Sequence, residues 1–294
     1  MKYAITGSKG LIGTYLKKRL DKEGHKCVMS IDKKEGFDIN ELMYRDNVSE
    51  KIDIFFHFAA QCRINESISL PILSHSNNVN GIFSVLEFCR KHDIKKIVFA
   101  SSSRVLSKER NPYVASKIYG EELVKAYSDC YGIEYIIIRP STVYGPMYDL
   151  TSRLINNFIS AAWKGEELRI YGDKDKTLDF TYITDFIDAI ISTINGKWNE
   201  EYNISGGEEI NLHSLAHFIC NQINPLCLID FLPEEKAQPQ KVKVDISKIE
   251  SLGYCPKVNI YDGINKMIAY YKKHPEEIEN YKDRGRDIYE KQQN

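Results

Sequence analysis

The sequence predicts an α/β chain, with a doubly wound parallel sheet followed by a smaller C-terminal α/β substrate lobe. Three observations predict it. Short apolar runs rich in Val, Ile, Phe and Tyr alternate with amphipathic stretches through the first two-thirds of the chain. The runs are continuously apolar, as strands covered on both faces are. A glycine-punctuated loop, Gly7-Ser8-Lys9-Gly10-Leu11-Ile12-Gly13, joins the first run to the first amphipathic stretch.

The strands are expected at Tyr3–Thr6, Cys27–Asp32, Ile52–His57, Ile97–Ser101 and Tyr135–Arg139, and the helices at Leu11–Lys22, Asn77–His92 and Tyr113–Tyr131. Such alternation implies right-handed crossovers. After Gly145-Pro146 the pattern loosens into helix and loop until about Thr177, and Phe180–Ile194 reads as strand, turn and helix. Pro225, Pro233, Pro239 and Pro256 punctuate the mixed region that follows. The expected division is 1–143 with 178–200 as the first domain, 144–177 with 201–274 as the smaller lobe, and 275–294 as a charged tail without a core stripe.

With 43% hydrophobic and 28% charged residues, the composition is that of an ordinary globular chain. A net charge of −1 argues against a general surface for nucleic acid or anionic membrane. No apolar leader follows Met1, and no run has the length of a membrane span. The seven cysteines form no C-x-x-C pair and read as reduced thiols, which suggests a cytoplasmic protein. His213 and His217 share a helix face without a third ligand, so no metal is expected.

The glycine loop has a physical reading. Gly7 permits a tight turn from strand to helix, Gly10 lets backbone approach a pyrophosphate, and Gly13 lets the helix pack close to the sheet. The helix N-terminus then offers free N–H groups to phosphate. The spacing is G-x-x-G-x-x-G rather than the commoner G-x-G-x-x-G, and it is its place between a strand and an amphipathic helix that reads as a Rossmann dinucleotide site. Asp32 stands 19 positions after Gly13, where a carboxylate would accept the ribose hydroxyls and repel a 2′-phosphate. NAD is therefore the expected cofactor, although Lys33 and Lys34 soften the discrimination. Asp38, with Ile39, lies where a carboxylate would approach the adenine; a solvated loop carboxylate is the alternative.

Tyr113 and Lys117 sit at i and i+4, on one face of a helix. An ammonium beside a phenol is expected to lower its pKa toward the working pH, making Tyr113 an acid/base for a sugar hydroxyl. Ser102 leaves the end of a buried strand, where α/β sheets keep ligands, and can hydrogen-bond the reacting hydroxyl.

On these residues the chain resembles the extended short-chain dehydrogenase/reductase superfamily, in its NAD-dependent nucleotide-sugar epimerase/dehydratase branch. The resemblance runs over nearly the whole chain. It includes the glycine loop, His57-Phe58-Ala59-Ala60, Asn78-Val79-Asn80-Gly81, and Arg139-Pro140 with Tyr144-Gly145-Pro146. It continues through Ile170-Tyr171-Gly172-Asp173, Asp179-Phe180 and Asp245-Ile246-Ser247-Lys248. The resemblance implies that Ser102, Tyr113 and Lys117 are catalytic. It also implies that Leu11, Ile12, Phe58, Ala59, Ala60, Asn78 and Pro140 join Gly7, Gly10, Gly13, Tyr113 and Lys117 around the cofactor. Ser103, Arg104 and Thr142 would face a nucleotide-sugar substrate. A homodimer formed through the two helices near Asn77–His92 and Tyr113–Tyr131 is implied as well.

The chain departs from that pattern in places. Leu178 replaces an arginine that commonly clamps the nucleotide diphosphate, so Lys174, Lys176, Lys236 or Lys241 would have to supply the cation. Thr142 replaces a common asparagine. Only ten residues separate Ser102 from Tyr113, shorter than is usual, which suggests an open site or a bulky substrate. Ser103-Arg104 replaces the Asp-Glu pair of dehydratases and, at 104, the cysteine of deoxy-sugar synthases, so neither reaction is expected. Arg104 either meets an anionic or oxygen-rich sugar substituent or turns outward to pair with Glu109. The expected activity is 4-epimerisation through a transient keto sugar. The alternatives are an NAD(P)H-dependent keto-sugar reductase and a non-catalytic NAD(H)-binding protein, which would have no need of Ser102, Tyr113 and Lys117.

Overall fold

The computed structural model describes residues 1–147, 153–238 and 244–281. Strands β1 (Lys2–Thr6), β2 (Lys26–Ile31), β3 (Ile54–His57), β4 (Lys96–Ala100) and β5 (Glu134–Pro140) match the five expected runs within two residues at each end. Five strands of the second part escaped the sequence reading: β6 (Thr142–Tyr144), β7 (Leu168–Tyr171), β9 (Glu200–Ile204), β10 (Glu209–Asn211) and β11 (Ile229–Leu232). The expected strand β8 (Thr177–Tyr182) lies among them. The helices are α1 (Leu11–Lys22), α2 (Ile64–Ser69), α3 (Pro71–His75), α4 (Gly81–Lys91), α5 (Pro112–Tyr131), α6 (Leu154–Lys164), α7 (Ile183–Ile194), α8 (Leu212–Ile223), α9 (Ser247–Glu250), α10 (Ile260–Lys273) and α11 (Pro275–Glu279).

The main sheet has six strands in the order β2-β1-β3-β4-β5-β9, and every adjacent pair is parallel. Alternate residues of each strand enter different cores. Tyr3, Ile5, Phe56, Val98, Ile136 and Ile138 face one side; Ala4, Phe55, Ile97, Phe99 and Ile137 face the other. With both faces covered, each strand can be apolar throughout. The second core is closed by α4 and α5 residues such as Val85, Phe88 and Val124. The first runs from Leu16 on α1 and Phe186 on α7 into Ile170, Leu215, Met267 and Tyr271. The smaller lobe therefore grows from one face of the main sheet and shares its core.

Two boundaries differ from expectation. Glu200–Ile204 pairs with β5 and completes the main sheet, so the first domain reaches past 200. The segment beginning at Pro275 buries Ile278 and Tyr281 rather than lying free. The Tyr281 hydroxyl donates to Asn157 Oδ1 at 2.7 Å, and Lys164 Nζ donates to the Tyr281 carbonyl at 2.7 Å. Residues 282–294 of the expected tail lie outside the described residues. The expected helix at 77–92 begins earlier: α3, a π-turn over Ser76–Asn80 and α4 follow one another without a break.

β5 leaves the main sheet at Pro140, and after one intervening residue, Ser141, β6 begins pairing with β8 in a separate three-stranded sheet, β10-β8-β6. That handover swings Ser141 and Thr142 toward the ends of β1, β3 and β4. β7 and β11 form a third, two-stranded parallel sheet.

Candidate active site

β1 is flanked by β2 on one side and β3 on the other, so the loops leaving β1 and β3 diverge. A crevice opens there, as at other topological switch points. The cleft measures about 770 Å³ and runs from the glycine loop past β4 to the smaller lobe. Its floor is a close meeting of backbones. Gly7 has φ +71°, and a Cβ on it would stand 2.8 Å from the Ala59 nitrogen. A Cβ on Gly13 would stand 2.2 Å from the Gly7 carbonyl oxygen. Thr6 Oγ1 ties the two loops together, 2.7 Å from His57 Nδ1 and accepting the Ala59 N–H at 3.1 Å. His57 is thus a buried brace, and burial, aided by the charge on Lys117, pulls its pKa down to about 3.

No side chain caps the N-terminus of α1, which leaves N–H groups for an anion. Leu11 and Ile12 line this end, with Asp32 and Asp38 beside Ile39. Asp32 accepts the N–H groups of Lys9 at 2.8 Å and Lys34 at 3.0 Å, which fixes its carboxylate at the rim. Asp38 caps the following turn through the Asn40 N–H at 2.9 Å. A glycine cradle that any Cβ would fill, an uncapped helix end and a fixed carboxylate together fit a dinucleotide.

Phe58, Ala59, Ala60 and Pro140 continue the lining toward the centre. Asn78 does not face the cleft. It is buried, and its amide is spent holding the loop after β3 to α5, accepting the Gln61 N–H at 2.8 Å and donating to the Gln61 carbonyl at 3.0 Å and Ser116 Oγ at 3.1 Å. It can position the cofactor loop without touching the cofactor.

At the centre, α5 starts where Asn111 Oδ1 accepts the Val114 N–H at 2.9 Å and Pro112 occupies the first turn. Its buried face carries Tyr113 and Lys117. The helix is anchored from below. Glu121 accepts Arg139 Nε at 2.8 Å and Nη2 at 2.5 Å, and also Ser101 Oγ at 2.5 Å. This buried network joins α5 to β5 and the end of β4. Ser102 caps a 3₁₀ turn through the Arg104 N–H at 3.2 Å and hydrogen-bonds Tyr113.

The electrostatics differ from the sequence reading. Lys117 was expected to hold the Tyr113 phenol down. Instead burial pushes Tyr113 up to about 12, assisted by Cys62, while the Ser102 hydrogen bond and the charges on Arg153 and Arg104 pull the other way. Lys117 contributes little because its ammonium is aimed elsewhere. Nζ donates to the Ala100 carbonyl at 2.7 Å and stands 5.9 Å from the Tyr113 ring centroid. Burial also pulls Lys117 itself down to about 8.

Ser103, Arg104 and Thr142 line the cleft beside Tyr113, and Leu178 lies there too. Arg104 forms no ion pair with Glu109 or any other described carboxylate, and its desolvation pulls its pKa down. Among the described residues, Lys174, Lys176 and Lys236 do not line the cleft; Lys176 Nζ donates to the Tyr171 carbonyl at 2.8 Å. Lys241 lies outside the described residues. Two further cations line it that the sequence reading passed over, Arg63 and Arg153. Arg63 has a buried Nη1 without a partner, and Arg153 donates from Nη1 to the Val143 carbonyl at 3.1 Å. Cys62, the electrostatic neighbour of both Tyr113 and Lys117, was missed as well. Cys62 and Arg63 follow directly on the His57–Ala60 turn, and that adjacency was the available signal. Arg153 sits in an aperiodic stretch that offered none.

The far wall comes from the smaller lobe. Gln238 lines the cleft and donates from Nε2 to Asn65 Oδ1 at 2.9 Å, while Asn111 Nδ2 donates to the Ala237 carbonyl at 3.1 Å. His213 and His217 lie outside the cleft, with Nε2 atoms 3.0 Å apart; no cluster of three or more potential metal ligands occurs among the described residues.

A sequence model of the NAD dependent epimerase/dehydratase family matches residues 3–205. A Methanocaldococcus jannaschii protein, provisionally named UDP-glucose 4-epimerase, is 31% identical, with 91% of this chain and 97% of that one covered. The UDP-glucose 4-epimerase of Thermotoga maritima, solved with UDP-glucose, superimposes with a TM-score of 0.87 at 23% identity, over 94% of this chain and all (100%) of that one. The UDP-glucuronic acid 4-epimerase of Bacillus cereus, solved with UDP-glucuronic acid and NAD, gives 0.82 at 24% identity, over 93% and 100%. At these identities the solved structures speak to the fold.

Proposed function

The chain belongs to the NAD dependent epimerase/dehydratase family, and from that premise we propose that it is a nucleotide-sugar 4-epimerase. The observation that carries the reading is the placement of Tyr113, Ser102 and Lys117 midway along one cleft, between a dinucleotide cradle and a second lobe. Bound NAD supplies reversible acceptance of the carbon-bound hydrogen and its electron pair. Tyr113 takes the proton of the 4-hydroxyl as the carbon becomes a ketone, and returns it after the sugar presents its other face. The reaction has no net redox change. Ser102 donates a hydrogen bond to the phenol oxygen as it gains charge. Lys117 holds ribose hydroxyls through its ammonium. Gly7, Gly10, Gly13, Leu11 and Ile12 cradle the pyrophosphate, Asp32 binds the adenosine ribose, and Arg63 and Arg153 supply the cations that Leu178 cannot.

Tyr113→Phe tests this. Loss of a positioned acid/base is expected to cost about 10²–10⁴ in turnover of the true sugar nucleotide, with NAD binding retained. Near-normal turnover by the variant would sink the assignment.

A homodimer accompanies this reading. Ile72, Phe83 and Tyr119 are exposed apolar side chains on α3, α4 and α5, and α5 packs against both of the others. The seven cysteines are free thiols, which favours a reducing, cytoplasmic setting.

A further inference from the structure

We propose that Arg104 reads a carboxylate on the sugar, so that the substrates are nucleotide-linked uronic acids; the inference rests on the 4-epimerase reading.

Four observations place Arg104. It lies in the same tight turn as Ser102, whose Oγ accepts its backbone N–H at 3.2 Å. It shares the cleft lining with Tyr113, close enough for its charge to favour the phenolate. It lines the cleft and forms no ion pair among the described residues. Hydroxyl residues surround it: Ser103, Ser141 and Thr142 share its niche with Asp179.

Two carboxylates share that niche, Glu209 and Asp179, and of the two it is Asp179 whose charge acts on Arg104. The Asp179 carboxylate is already engaged by Ser205 Oγ and by the Gly206 N–H at 3.2 Å. It influences Arg104 from beyond bridging distance and does not occupy the guanidinium fork.

Sugar chemistry then narrows the choice. In a pyranose the diphosphate hangs from C1, across the ring from C4. A uronic acid carries its carboxylate on C5, the neighbour of C4. A cation held beside the C4 acid/base therefore meets the carboxylate rather than the phosphates. A guanidinium matches a carboxylate with two parallel hydrogen bonds, and the hydroxyls of Ser103 and Thr142 can satisfy the remaining lone pairs.

The test uses holoenzyme and the Arg104→Ala and Arg104→Lys variants. Each is titrated with UDP-glucuronate, UDP-glucose and UDP, and assayed for 4-epimerisation of the two sugars. Wild type is expected to prefer UDP-glucuronate. In Arg104→Ala the ratio of UDP-glucuronate to UDP-glucose, in Kd and in kcat/KM, should fall by about 10- to 100-fold, the loss of a charge-assisted pair, with partial recovery in Arg104→Lys. Equal losses on all three ligands would mean a diphosphate contact and overturn the proposal. So would an unchanged ratio, or a wild-type preference for UDP-glucose. If no sugar is epimerised but the binding ratio still falls, the 4-epimerase reading fails and Arg104 as a carboxylate reader stands. If both sugars are epimerised at a ratio indifferent to Arg104, the reverse holds.

Discussion

Lys117 offers a sharp test, because its charge is lost within an accessible pH range. Burial lowers it to about 8 while Nζ donates to the Ala100 carbonyl at 2.7 Å. The ammonium is therefore about 90% populated at pH 7 and about 10% at pH 9 in the free enzyme. If the ammonium also holds a ribose hydroxyl, that charge-assisted hydrogen bond is worth roughly 1.4 kcal/mol, or tenfold in affinity. Linkage then requires bound NADH to raise Lys117 by about one unit, to about 9. The sign follows: affinity is full below pH 8 and is lost as pH rises through the pKa of the complex. The Kd for NADH should weaken about fivefold between pH 7 and 9 and level off near tenfold by about pH 10. Lys117→Met removes the cation at every pH. It should bind about tenfold more weakly at pH 7, show no trend with pH, and meet the wild-type curve near pH 10. Calorimetry of nucleotide-free enzyme at pH 8.5 should register proton uptake on binding, as a heat that depends on the buffer. A wild-type Kd that is flat from pH 7 to 9.5, or that rises in parallel with the variant's, would refute the assignment.

Three further outcomes are expected. His57 is depressed to about 3 in the fold and free near 6.5 in the unfolded chain, so its contribution is present above pH 6.5 and is lost as pH falls toward 3. Urea unfolding at pH 5 and pH 6.5 should show about 2 kcal/mol less acid destabilisation in His57→Asn than in wild type, and identical slopes would exclude the mechanism. Asp32 should make the protein prefer NADH to NADPH by more than about tenfold, with Asp32→Ser narrowing the gap; a dissociation constant favouring NADPH would shift the role to Lys33 and Lys34. Light scattering at micromolar concentration should report a dimer for wild type and a monomer for Phe83→Asp, and a wild-type monomer would remove the interface assigned to α3, α4 and α5.

What was legible in the sequence follows from how each element is stabilised. The five runs of the main sheet announce themselves because both faces are buried, so every residue from Tyr3 to Ile5 or from Phe55 to Phe56 is apolar. The smaller lobe is harder to read. β10 is three residues long, and β11 keeps Phe231 exposed, so neither carries a periodic signal. Ile278 and Tyr281 are two apolar residues in a charged stretch, and only the fold reveals that they dock beside Asn157. The site divides the same way. Tyr113 and Lys117 share one helix, so their spacing displays their common face. Arg63, Arg104 and Arg153 reach the cleft from three separate loops, and no spacing rule joins them. The pKa of Tyr113 was misjudged because helical spacing gives adjacency but not aim: Lys117 turns toward β4, and burial dominates.

That aim leaves the Tyr113 phenol to be lowered by other charges than Lys117. At about 12, Tyr113 ionises in only about one molecule in 10⁵ at neutral pH. A unit positive charge brought within ~5 Å of its oxygen, at an effective dielectric of ~20, is worth roughly 3 kcal/mol, or about two pKa units. Oxidised nicotinamide would supply positive charge in the same cleft, and Arg104 and Arg153 already pull in that direction. A substrate carboxylate paired with Arg104 would cancel part of that pull, so discrimination and base strength draw on the same cation. The Ser102 hydrogen bond and the charge on Arg153 then carry the remainder. Both stabilise the phenolate without depending on what sits against Arg104.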